Sequence, residues 1–96
     1  MKILAIEKEV DGTKSEDFKP HLLAEAERVW ELYQAGIIRE IYFDKLSHNA
    51  VLILECNDET EAQEVLATLP LVKEKLIAFD LIALEPYDGF ARLFEK

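Results

Sequence analysis

The chain has 96 residues, of which half are apolar and 32% charged, and a formal net charge of −9. This balance excludes a disordered chain, and 20 acids against 11 bases with no basic run argue against nucleic acid and anionic membranes as partners. Its length fits one domain, 1–96, whose modest core would gain from self-association. Cys56 is the only cysteine, so neither an intrachain disulfide nor a thiolate metal cluster is expected. No apolar run approaches the roughly 20 residues of a membrane span, and Met1–Ile6 is too short for a secretion signal before Glu7. The expected compartment is the reducing cytoplasm.

Lys2 to Glu9 reads as a first strand, with Ile3 and Ala5 on one face and Leu4 and Ile6 on the other. Asp11-Gly12-Thr13 is turn chemistry, and Ser15-Glu16-Asp17 offers caps for a helix running to about Ala35. Phe18, Leu22, Ala26, Val29, Trp30 and Tyr33 recur at spacings of three and four and predict one apolar stripe. Glu25 falls outside that stripe and, three residues before Arg28, could pair with it. Gly36 stands where a left-handed residue would end the helix.

Ile37 to Asp44 and Ala50 to Cys56 predict a hairpin around Lys45–Asn49. Asp58 and its acidic neighbours open a second helix with a stripe at Ala62, Val65, Leu66 and Leu69, stopped by Pro70. Ile77 to Glu85 is the fourth strand, followed by a turn at Pro86–Gly89 and an apolar tail, Phe90 to Phe94. The order β-α-β-β-α-β is the ferredoxin-like arrangement: an α+β fold with a four-stranded antiparallel sheet and two helices on one face.

Ala50–Leu54 and Ile77–Leu84 do not alternate apolar with polar. Two helices cover only one face of a sheet, so a second copy of the chain is the predicted cover for the other. Phe90, Leu93 and Phe94 would share one side of a helical turn and are expected to dock on a partner, close a cavity or lie on the chain's own sheet.

Trp30 to Glu40, Thr68-Leu69-Pro70-Leu71, Phe79-Asp80, Pro86 and the stretch to Phe94 together resemble the muconolactone isomerase-like family. The resemblance covers most of the chain from Trp30 onward. It implies a dimeric α+β barrel, in which two sheets press face to face, within a ring of dimers. It also implies movement of a double bond in a small lactone by proton transfer, without a cofactor. At the second strand the isomerase has His and Trp where Glu40 and Tyr42 stand here, and Arg at the position of Phe43.

Five residues are candidates for chemistry. Asp80 interrupts an apolar strand and reads as a proton shuttle, as a carboxylate facing solvent at a sheet edge, or as one paired with a base such as Arg39. Arg39, on the face of Ile37 and Ile41 by alternation, could steady developing oxygen charge or join an ion pair. Tyr42 could orient a substrate or simply pack. His21, in the first helical turn, has the setting of a general base, and His48 lies in the hairpin turn, solvated or binding. No His pair has metal-ligand spacing, glycines form no phosphate loop, and no cofactor is expected. RNA recognition by this topology would need exposed aromatics on the central strands, and Val51–Leu54 offers none.

The expected function is cofactor-free proton transfer on a small anionic or carbonyl-bearing molecule, with isomerisation the first reaction to test. The alternative is a non-catalytic ligand-binding or homo-oligomeric assembly module. A cofactor-free oxygenase or haem-using relative is a third reading, for which neither His has a clear ligand context.

Overall fold

The computed structural model describes residues 1–95. Strand β1 is Lys2–Glu9, as its alternation predicts. The first helical region is divided where the sequence predicts one helix: α1 is Ser15–Phe18, a 3-10 turn spans Lys19–His21, and α2 is Leu22–Gln34. Pro20 explains the division, because it has no N–H to give and its ring crowds the preceding turn. Gly36 ends α2 at φ 79°, and the Ile37 amide reaches back to the Leu32 carbonyl at 3.0 Å.

β2 is Ile38–Phe43 and β3 is Ala50–Glu55. Asp58 caps α3, Glu59–Leu66, its carboxylate accepting the Glu61 amide at 2.8 Å. Pro70, expected as a stop, instead occupies the first turn of a further short helix, α4, Pro70–Lys73, where a missing N–H costs least. β4 is Ile77–Leu84, and a 3-10 turn, Gly89–Leu93, carries the tail.

The sheet order is β2-β3-β1-β4, with every neighbouring pair antiparallel. This is the ferredoxin-like α+β fold. Ile3 and Ala5 face the helices beside Leu54 and Leu52, and they meet Leu32, Ala62, Leu66 and Leu69 in one core. Each buried leucine or isoleucine among them contributes about 2 kcal/mol through burial. A register shift between Ile38 and Glu40 marks a bulge in β2, so simple alternation does not place Arg39.

The other face carries Leu4, Ile6, Val51, Ile53, Ile82 and Leu84 with no helix over them, and Ile82 is 48% exposed. The strands are therefore apolar on both sides, as the sequence predicts. The tail leaves the domain: Tyr87, Phe90, Leu93 and Phe94 are 67–78% exposed, so it does not lie on the chain's own sheet. The long axis reaches 61 Å, and the radius of gyration is 15.9 Å. A compact domain of this length would have a radius of about 12 Å. No helix among the described residues is long and apolar enough to cross a membrane.

Candidate functional site

A cavity of about 780 Å³ opens between the helix-side face of the sheet and α2, at the end where β1 finishes and β4 begins. That size suits a small organic molecule. Phe18, Val29, Phe43, Leu52, Ile77 and Phe79 make it largely apolar. Into this lining come Glu7 and Glu9 from β1, Glu25 from α2 and His48 from the hairpin, with Lys19 the one lysine or arginine among the described residues there.

Each polar group is placed by a local feature of the chain. Period two along β1 puts Glu7 on the face of Ile3 and Ala5, and its Oε1 accepts the Ala50 amide at 2.7 Å. Glu25 lies four and seven residues before Val29 and buried Leu32, which puts it on the inward face of α2. Its Oε1 accepts the Leu71 amide at 3.0 Å. Burial pushes the Glu25 pKa above its ordinary value, the Leu71 amide opposes this, and the charge of Glu7 adds to the rise. The hairpin is tied by Asp44, whose Oδ1 accepts the amides of Leu46 and Ser47 at 2.7 and 3.2 Å. These bonds hold the Asp44 carboxyl below its usual range. They shape the turn in which His48 adopts φ 60° and stacks on Phe43 with ring centroids 4.1 Å apart.

Of the five residues singled out by sequence, only His48 lines this cavity. His21 closes the 3-10 turn and stands at the N-cap of α2, its side chain making no capping bond. Arg39 and Tyr42 meet in a second, shallower groove of about 550 Å³ beside Trp30 and Tyr33, whose rings stack at 5.9 Å. There the Arg39 Nε donates to the Gly36 carbonyl, and the Tyr42 hydroxyl donates to Glu40 Oε1 at 2.8 Å. That bond raises the tyrosine pKa, and the negative charge of Glu40 adds to it. Asp80 faces the open side of β4, paired at 2.7 Å with Lys8 Nζ rather than with Arg39. β2 and β4 are the two edge strands, so the chain itself does not bring Arg39 and Asp80 together.

Sequence reasoning missed Glu7 and Glu25. For both, a signal was present in the face-sharing with core residues. Arg28, three residues after Glu25, does not pair with it: its Nε donates to Thr68 Oγ1 at 2.8 Å, and its acidic neighbour is Glu31 at 3.8 Å.

The fold and cavity together define a ferredoxin-like α+β domain with a small-molecule-sized site against its sheet. That fold is the one of muconolactone isomerase, whose crystal structure matches with a TM-score of 0.72 at 14% identity, covering 93% of each chain. A second match is 5-chloro-2-hydroxyhydroquinone dehydrochlorinase (TftG) from Burkholderia phenoliruptrix AC1100, in complex with 2,5-dihydroxybenzoquinone. Here the TM-score is 0.69 at 15% identity, over 93% of this chain and 98% of that one. The resemblance read from the sequence thus holds at the level of the fold. No family model and no curated protein matches the chain.

Proposed function

We propose that the cavity binds a small organic molecule and transfers a proton at carbon without a cofactor, as an isomerase would. The observation that carries this reading is Glu25, a carboxyl with a raised pKa that lines an apolar cavity alongside a second carboxylate. Such a group holds and releases a proton closer to neutral pH than an exposed carboxyl does. In the proposed step Glu25, ionised, takes a proton from a carbon next to a carbonyl, and the electron pair moves onto the carbonyl oxygen as an enolate. The proton returns at another carbon of the conjugated system as the carbonyl re-forms, so a double bond has moved and the carboxylate is regenerated. His48 stands ready to hydrogen-bond the enolate oxygen.

The two similar structures support a reading at this level, since one is named an isomerase and the other a dehydrochlorinase with a quinone bound. Arg39 and Tyr42 join the proposal as a second, outer binding groove, and His21 and Asp80 as groups that a neighbouring subunit could bring nearer. The test is proton–deuterium exchange at carbon, followed by NMR in D2O over a panel of small lactones and enolisable ketones. Exchange should occur and should fall about 10²- to 10⁴-fold in Glu25→Gln. Exchange that survives this substitution would sink the assignment of the base.

A second reading rests on a different observation, the bare apolar face of the sheet and the projecting aromatic tail. In it the chain is a homodimer through its sheets, with the tail laid on a neighbour, and acts as an assembly module. The two readings are compatible unless the tail fills the cavity.

A further inference from the structure

We infer that the cavity admits uncharged, hydroxyl-bearing ring compounds and rejects their carboxylate counterparts, with Glu7 as the charge filter. This rests on the reading that the cavity binds small molecules, and it narrows the substrate class expected from sequence, which included anions. Arg39, read from the sequence as able to steady oxygen charge or join an ion pair, lines the separate groove on α2 and β2. Among the described residues that line the cavity, three carboxylates, Glu7, Glu9 and Glu25, stand against one lysine, Lys19. Glu7 and Glu25 are partly withdrawn from water beside apolar side chains, so a carboxylate entering next to Glu7 meets repulsion that is less screened than at the open surface.

Glu7 is also fixed in place. One oxygen accepts the Ala50 amide at 2.7 Å, and its second oxygen has no protein donor among the described residues. An ionised carboxylate is acceptor-only, so it recognises O–H groups and offers nothing to an anion. The Phe43–His48 stack gives the cavity a flat aromatic wall against which a ring can lie.

The experiment measures binding of matched single-ring probes to the full chain at neutral pH by isothermal titration or ligand-observed NMR. The probes are hydroxyphenyl methyl ketones and the corresponding hydroxybenzoates. The ketones should bind at least about tenfold more tightly, a difference of 1.4 kcal/mol. In Glu7→Gln, which keeps an oxygen for the Ala50 amide, the preference should shrink several-fold while the fold, followed by circular dichroism, is retained. Equal binding of both probes by the wild type overturns the charge filter and leaves cavity binding standing. An undiminished preference in a folded Glu7→Gln overturns the role of Glu7. If neither probe binds, the cavity reading itself falls. Should Glu7→Gln fail to fold, Glu9→Gln and a salt titration decide instead, with an unchanged preference in both overturning the proposal.

Discussion

Glu25 and Leu71 are joined by a 3.0 Å hydrogen bond from a backbone amide to a carboxylate, across 46 positions of sequence. It fastens α2 to the start of α4 and holds one side of the cavity. Burial nevertheless disfavours the ionised form of this carboxyl.

A pH signature follows. The folded pKa of Glu25 lies above its ordinary value of 4.5, so between those two values the folded chain binds more protons at this site than the unfolded chain. Stability from this group is therefore lost as pH rises through that window. Glu25→Gln keeps an oxygen for the Leu71 amide and should melt at a higher temperature than wild type at neutral pH. The advantage should disappear as pH falls below the ordinary carboxyl value. A pH-independent difference in melting temperature would contradict this origin.

The core prediction concerns Leu54, fully buried and opposite both Ile3 and Ile38. Leu54→Ala should cost about 2–5 kcal/mol in urea unfolding, from lost transfer energy and the void left behind.

Gly36 tests the backbone alone. A Cβ there would have room, its nearest neighbour being Arg39 Nε at 3.8 Å, yet φ is 79°. Gly36→Ala should cost about 1 kcal/mol, purely from the left-handed conformation.

The Lys8–Asp80 pair is more than half exposed on both sides. A double-mutant cycle should return a coupling of less than about 1 kcal/mol that weakens in salt. A larger, salt-insensitive coupling would mean that the pair is buried in an assembly.

The open sheet face gives the assembly prediction. Light scattering at micromolar concentration should find a dimer or larger species, and Ile82→Glu should yield monomers. A wild-type monomer would remove the case for sheet-to-sheet pairing.

Strand period and turn chemistry made the fold legible: β1 has the bounds its alternation predicts, Gly36 ends α2 as its position implies, and Asp58 caps α3. The break at Pro20 and the restart at Pro70 were harder, because a proline can sit inside a first turn or end a helix, and only packing decides. The candidate site was less legible. A carboxylate one step from an apolar stripe looks solvated until the helix is turned, and the inward face of α2 centres on Val29 and Leu32 rather than on Trp30 and Tyr33, which stand about half exposed. Arg39 escaped the alternation rule because a bulge interrupts β2 beside it. Asp80 drew notice as a charge in an apolar strand, yet its partner Lys8 comes from a strand 72 positions away, a pairing that only the sheet register reveals.

With the proposed charge filter, the hydrogen bond from the Ala50 amide makes Glu7 a structural acceptor as well as a selector of ligands. A lineage adapting this scaffold to an acidic substrate would have to discard the charge at position 7 without orphaning the amide. Glutamine does so, whereas alanine, lysine or arginine would lift repulsion while loosening the start of β3. Divergence at this position should therefore proceed through glutamine, with bolder replacements arriving only after a second change near Ala50 has supplied another acceptor.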